Sequence, residues 1–118
     1  MTLLASEIRG AWLCDDAFAV TAIGELDLHD APTLERELRA AEAAGARRAL
    51  VDLSAVSFAD STILGVLVGA AQRFEELVLA VSDVRVLRVL EITGLDRKLR
   101  VERSRQEALA ALSVRRAA

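Results

Sequence analysis

The sequence contains few of the residues from which metal and disulfide sites are built. It has one cysteine, Cys14, and one histidine, His29. A zinc site needs three or four ligands, mostly cysteine and histidine, so we expect neither a metal nor another cofactor. The two residues lie in different predicted segments without a catalytic motif around them. We therefore expect Cys14 to act as a small apolar residue and the chain not to be an enzyme.

Long apolar stretches and basic clusters are also scarce. The longest apolar stretch, 63–71, is much shorter than the roughly 20 residues of a membrane-spanning helix. The first residues lack the basic start and apolar run of a signal peptide. The formal net charge is -3, and the aromatic residues are three phenylalanines and one tryptophan. We therefore expect a cytoplasmic protein that has no membrane span and does not bind nucleic acid.

The composition that remains is typical of a globular protein. The chain has 118 residues, of which 53% are hydrophobic and 28% charged. This balance and length predict one domain with one core. No linker, repeat or low-complexity segment divides the chain, so we predict a single domain over residues 1–118 with a folded core from about 7 to 112.

Short apolar runs alternate with amphipathic segments along the chain. Asp30 is a good helix N-cap, and Gly45 suits the end of the same helix. Ser104 and Glu107 form a capping box, and Asp52 is expected to end a buried strand. Strands are predicted at 8–14, 18–23, 48–53, 77–81 and 99–101, and helices at 30–45, 62–74, 84–93 and from 104 onward. This order predicts an α/β fold with a mixed, mostly parallel sheet, an N-terminal hairpin and about four helices.

The predicted helix 62–74 has an unusual outward face. On a helical wheel one side is apolar and is formed by Ile63, Val66, Leu67, Ala70 and Phe74. The opposite side is small and nearly uncharged and is formed by Ser61, Thr62, Gly65, Gly69 and Gln72, with Val68 at its rim. Each helical glycine costs about 1 kcal/mol relative to alanine. Close approach of another protein or close packing of a neighbouring helix would explain that cost. Asp60 and Ser61 begin the helix, where they are either caps or a functional site.

These residues resemble a known family. The segment VDLSAVSFADSTILGVLVGAAQRF is similar to the D-L-S-x-V-x-F-x-D-S-[ST]-G-L-G-x-L segment of STAS domains, the anti-sigma factor antagonists. Upstream, GELDLHDAPTLERELRAA resembles the family's G-x-L-D-x-x-x-A-x-x-L-x-x-x-L entry into a helix. Downstream, VRVLRVLEITGLDRKLRV resembles its V-x-x-x-L-x-x-x-G-L-D-x-x-x-x-V segment. The resemblance covers nearly the whole chain and implies a STAS fold.

The resemblance also implies a regulatory function. Family members bind an anti-sigma factor that is a serine/threonine kinase with a GHKL-type fold, and this binding releases a sigma factor. Phosphorylation of the serine after the motif aspartate ends the binding; that serine corresponds to Ser61, and Thr62 is the second choice. A PP2C-type phosphatase is a further implied partner. The residues expected to contact the partner are Asp27, Asp60, Ser61, Thr62, Gly65, Val68, Gly69 and Gln72.

One residue of the motif departs from the family. Ile63 stands where the family has glycine. A β-branched residue stiffens the turn that presents Ser61, which disfavours phosphorylation more than partner binding. Ile63 therefore favours an alternative, in which the chain is a phosphorylation-independent STAS scaffold or subunit of a signalling or lipid-transport complex. A small enzyme or nucleotide binder is the third alternative, but the chain has no glycine-rich phosphate loop and no G-x-S-x-G elbow.

Overall fold

The computed structural model describes the backbone of residues 6–117 and the side chains of residues 6–112. The ends of the predicted domain, residues 1–5 and 118, lie outside the described residues, and the domain boundaries stay a prediction. In chain order the elements are β1 (Glu7–Cys14), β2 (Ala17–Leu26), α1 (Ala31–Ala43), β3 (Arg48–Ala59), α2 (Ser61–Arg73), β4 (Glu76–Ala80), α3 (Val84–Thr93), a 3₁₀ turn (Leu95–Arg97), β5 (Arg100–Glu102) and α4 (Arg105–Ala117).

The strands form one mixed sheet in the order β1-β2-β3-β4-β5. β1 pairs with β2 in antiparallel fashion through the turn at Asp15 and Asp16, and the remaining neighbours are parallel. The predicted fold class is therefore confirmed, including the N-terminal hairpin, the mostly parallel sheet and the four helices. Because β2 and β3 are parallel, their carboxyl ends meet at the same edge of the sheet.

Helices cover both faces of the sheet. Adjacent strand residues point to opposite faces, as Val51 and Leu50 do in β3. Val51 belongs to the larger apolar cluster, which contains the buried residues of α1, α2 and α3. Leu50 belongs to a smaller cluster with Ala108, Ala111 and Leu112 of α4. Three helices therefore lie on one face, and α4 packs closely on the other through alanines.

The predicted end of α1 is confirmed. Gly45 has a positive φ of 106°, which glycine adopts without strain. The Ala46 amide donates to the Ala41 carbonyl at 2.9 Å, and the Gly45 amide donates to the Glu42 carbonyl at 3.1 Å. These two bonds satisfy carbonyl groups that the helix end would otherwise leave without donors.

The prediction that β3 ends near residue 53 is wrong. β3 continues to Ala59, and its second half pairs with β2 alone because β4 pairs with β3 only between Arg48 and Asp52. The ladder between β2 and β3 accommodates extra residues at two register shifts. Local hydrophobic pattern does not report such bulged pairing with a distant strand. The longer strand carries Ala59 to the start of α2.

The prediction that Asp52 ends a strand is also wrong. Asp52 lies in the interior of β3 and is 4% exposed. Its carboxylate accepts hydrogen bonds from Ser54 and from the Arg105 guanidinium, which lies 3.1 Å away and also donates to Thr21. Burial by itself raises the pKa of Asp52, but the donors Ser54 and Arg105 outweigh it, so the pKa lies below its usual value. This ion pair fastens the first turn of α4 to the sheet.

Candidate functional site

The candidate site lies where β2 and β3 end. Leu26 and Ala59 are the last paired residues of the two strands. Just beyond them, the Asp60 amide donates to the Leu26 carbonyl at 3.2 Å. This bond holds the turn after β2 against the start of α2. Because Asp27 directly follows Leu26, this hydrogen bond brings the turn that begins at Asp27 to the start of α2, although Asp27 and Asp60 are 33 positions apart in the sequence.

Asp60 is the cap of α2. Its Oδ1 atom accepts from the Thr62 amide at 3.0 Å and from the Ile63 amide at 3.1 Å. The Asp60 side chain thus supplies an acceptor for two helix-start amides, and the Asp60 amide itself donates to Leu26. Ser61 is the first residue of the helix and does not cap it. Ser61 and Thr62 are exposed, and within the described part of the chain neither hydroxyl has a hydrogen-bond partner.

Ile63 points away from this surface. Its side chain is 0% exposed and belongs to the main apolar cluster together with Leu67 and Ala70. The residue that departs from the family's glycine is therefore a core residue. The predicted core face of α2 differs from the observed one at two residues. Leu64, which is outside the predicted face, is buried, whereas Val66, which is part of it, is only half-buried.

The outward face of α2 is open at its first glycine. Among the described residues, and apart from the adjacent backbone of α2, a Cβ atom added to Gly65 would have no neighbour within 4 Å, and one added to Gly69 would meet only the flexible end of Arg73, at 3.6 Å. Neither glycine is therefore required by a neighbouring helix of the same chain. Gln72 is exposed and Val68 half-buried, so the predicted contact residues of α2 share one accessible stripe that begins at Ser61.

The turn after β2 lies beside this surface. One predicted contact of the turn, the capping of α1 by Asp30, is not formed. Asp27 is exposed, and its Oδ1 atom accepts from the His29 amide at 2.9 Å. Asp30 occupies the N-cap position of α1, but its side chain makes no capping bond. The predicted cap is wrong because other donors take the carboxylate: Ser6 at 2.6 Å and the Asp27 amide at 3.0 Å. Pro32, in the first turn of α1, also lacks an N–H group that a cap could serve.

A groove that sequence reasoning missed adjoins the site. It has a volume of about 280 Å³ and lies between the end of β3 and α3, lined by Glu25, Ser57, Phe58, Ala59, Arg85, Val86 and Val89. Phe58 is 49% exposed at its rim. Along 54–59 burial recurs at every third residue, at Val56 and Ala59, and not at every second residue as in a regular strand. No alternating pattern in the sequence therefore marks Phe58 as outward. Arg85, which lines the groove, is exposed and is paired with Asp83 at 2.8 Å.

Among the helices of the described residues, none has the length and apolar character of a membrane span.

Curated relatives include an anti-sigma-B factor antagonist of Staphylococcus aureus, 43% identical over 86 residues that cover 69% of this chain and 79% of the relative. Another anti-sigma-B factor antagonist, of Listeria monocytogenes, is 39% identical over 84 residues, covering 68% of this chain and 74% of that protein.

Solved structures of anti-sigma factor antagonists have a similar fold. An anti-sigma factor antagonist from Mycobacterium paratuberculosis has a TM-score of 0.81 at 25% identity and covers 91% of this chain, with 93% of its own chain matched. The anti-sigma factor antagonist SpoIIAA in its unphosphorylated form has a TM-score of 0.71 at 17% identity, covering 92% of this chain and 98% of that one. The family model of the STAS domain matches residues 14–108. This chain therefore belongs to the STAS domain family.

Proposed function

We propose that this chain is an anti-sigma factor antagonist that binds an anti-sigma factor kinase through the outward face of α2 and the turn after β2. The names of its curated relatives support this function. The observation that carries the proposal is the Ser61 hydroxyl, which is exposed at the first position of α2 and has no hydrogen-bond partner among the described residues. A hydroxyl in this position is accessible to a kinase without unfolding of the helix.

The open space above Gly65 supports docking on α2. Apart from the adjacent backbone of α2 itself, no atom of the described residues lies within 4 Å of an added Cβ, so packing within the described chain does not explain the conformational cost of this helical glycine. A partner that approaches the helix backbone closely would supply one. Gln72 and Val68 extend the same stripe and would lie at the periphery of the contact.

Phosphorylation of Ser61 would act on the charge of this surface. A phosphoserine carries about -1.5 to -2 charges at neutral pH. A helix N-terminus favours an anion, so the fold should tolerate the group. However, Asp60 already occupies the Thr62 and Ile63 amides, and Asp27 follows the neighbouring strand. The phosphate would therefore join two carboxylates, and a partner surface that accepts Ser61 would meet repulsion and a desolvation penalty.

The test compares phosphorylation and binding in matched variants. Wild type, Ser61→Ala and Thr62→Ala are incubated with ATP and the anti-sigma factor kinase of the source organism, and intact mass is measured. Wild type and Thr62→Ala should gain one phosphate, whereas Ser61→Ala should gain none. In calorimetry, Ser61→Asp should bind the partner more weakly than Ser61→Asn, which has nearly the same shape without the charge. Equal affinities together with different melting temperatures would contradict the switch and leave Ser61 a structural residue.

A second candidate function is a phosphorylation-independent STAS scaffold. The buried Ile63 favours it, because this residue fixes the first turn of α2 in the core where the family has glycine. Binding of the kinase without any gain of phosphate on Ser61 or Thr62 would support the scaffold. A partner that is not a kinase, isolated together with the native protein, would also support it.

A further inference from the structure

The carboxylate of Asp30 connects two parts of the chain that are distant in sequence. One oxygen, Oδ1, accepts from the Ser6 hydroxyl at 2.6 Å. The other, Oδ2, accepts from the Asp27 amide at 3.0 Å, and the Asp30 amide donates to the Asp27 carbonyl at 2.9 Å. Ser6 directly precedes β1, whose first residue pairs with Ile23 near the end of β2. Asp30 therefore ties the start of β1 to the turn after β2.

Asp30 does not make the capping hydrogen bond that its position in the chain favours. Asp30 stands at the N-cap position of α1, where an aspartate side chain normally accepts from a helix-start amide. Capping is worth about a factor of five in the folding equilibrium, on the order of 1 kcal/mol, yet both carboxylate oxygens bond elsewhere. Burial alone would raise the pKa of Asp30, but the donors Ser6 and Asp27 outweigh it and keep the pKa below its usual value. The tie therefore holds a charged carboxylate.

The tie restrains the residues that border the phosphorylation site. Within the turn, the Asp27 side chain accepts from the His29 amide, so the orientation of its carboxylate depends on the turn conformation. Leu28, at the tip, is 58% exposed. On the other side, the Leu26 carbonyl accepts from the Asp60 amide at the start of α2. The turn is thus fixed at one end by α2 and at the other by Asp30.

We propose that Asp30, held by Ser6, is a positioning residue that keeps Asp27 and Leu28 in place for docking of the anti-sigma factor beside Ser61. The inference rests on the proposed function. Without the Ser6 bond, Asp30 is free to rotate and cap α1, and the turn loses one of its two restraints. The partner would then have to order the turn on binding, which weakens the affinity.

The expected effects separate positioning from stability. Ser6→Ala removes the tie and should weaken partner binding roughly three- to ten-fold, the scale of ordering one or two side chains. Ser6→Thr keeps the hydroxyl and should restore the affinity. Asp30→Ser offers α1 a good cap but cannot bridge Ser6 and Asp27 with two oxygens. It should therefore melt at the same temperature as wild type or higher, and still bind more weakly.

The control is Ser82→Ala. The Ser82 hydroxyl also makes a long-range hydrogen bond, to the Arg103 carbonyl at 2.8 Å, but this bond joins the residues after β4 and β5 and not the turn after β2. Ser82→Ala should leave the partner affinity unchanged. In phosphorylation assays Ser6→Ala and Asp30→Ser should raise KM with kcat unchanged, because Asp60, and not Asp30, sets the geometry of Ser61.

The decisive experiment measures amide hydrogen exchange and partner binding on the same variants, with the anti-sigma factor kinase of the source organism as the probe. We expect faster exchange at residues 27–30 in Ser6→Ala and Asp30→Ser, with α2 unchanged, together with the loss of affinity. Faster exchange with wild-type affinity would overturn the positioning role, and unchanged exchange would overturn the tie itself. If wild type does not bind the kinase, the proposed function fails and the docking role of Asp30 fails with it, whereas the exchange rates still report the tie.

Discussion

Replacing Ile63 by glycine restores the residue of the family motif and should strongly destabilise this protein. The Ile63 side chain is 0% exposed and lies in the main apolar cluster. Truncation of a buried isoleucine to alanine costs about 2–5 kcal/mol, since the cavity is only partly refilled. The further step from alanine to glycine in a helix adds about 1 kcal/mol. The expected loss is therefore about 3–6 kcal/mol, which is a large part of the 5–15 kcal/mol by which typical domains are stable.

Urea unfolding followed by circular dichroism measures this loss. A decrease of the midpoint at constant slope would show that stability, and not the compactness of either state, has changed. Ile63→Val is the conservative control, with an expected cost of about 0.5–1.5 kcal/mol. Gly65→Ala is the matched exposed control on the same helix. It should stabilise the fold by up to about 1 kcal/mol, because the added Cβ clashes with no described residue outside α2.

A loss below about 1 kcal/mol for Ile63→Gly, which is the cost expected of an exposed position in a helix, would contradict the packing role of Ile63. In that case Ile63 would contribute no packing, and its presence would require another explanation. Phosphorylation of the same variant tests the second consequence. If the stiff turn limits the kinase, Ile63→Gly should be phosphorylated faster at Ser61 than wild type, under conditions in which both remain folded.

Three further predictions concern the other contacts. Asp60→Ala removes the cap of α2 and should cost about 0.5–2 kcal/mol in thermal unfolding; an unchanged melting temperature would contradict the capping role. Arg105→Ala leaves the Asp52 carboxylate buried without its cationic partner and should cost about 1–3 kcal/mol, whereas an effect near zero in denaturant titration would mean that water replaces the guanidinium. The third prediction concerns acid. Hydrogen bonds from Arg85 lower the pKa of Asp83 from 3.8 to about 2. The unfolded chain therefore binds this proton first, and the free energy of unfolding should fall as the pH drops from 3.8 toward 2. Asp83→Asn should lose part of this dependence in acid titrations followed by circular dichroism, and an unchanged profile would argue against the bond in solution.

Much of the candidate site was predictable because its determinants are local. Asp60, whose carboxylate accepts from the first amides of α2, directly precedes Ser61. Aspartate favours the N-cap position because of hydrogen bonds within the first helical turn, which a short segment of sequence reveals. The same is true of Gly45, whose positive φ terminates α1. The resemblance to the family added the proposed role of Ser61 as a phosphoacceptor, which no rule of capping or periodicity supplies. Which residues contact the partner stays a prediction.

The incorrect predictions share one physical cause. Asp52 is joined to Arg105 across 53 residues, and Asp30 to Ser6 across 24. In both cases a carboxylate that local rules assign to a turn or a cap is taken by a donor that only the folded sheet brings near. The length of β3 has the same origin, because its second half is stabilised by bulged pairing with β2.

The sequence by itself determined the order of strands and helices, the family and the position of the candidate phosphoacceptor Ser61, because these depend on patterns within short segments and on a motif. Only the tertiary structure decided that β3 continues to Ala59, that Gly65 has open space above it and that Asp30 serves the turn instead of its helix. Each of these depends on which atoms from distant parts of the chain occupy the neighbouring space, and local periodicity carries no information about that.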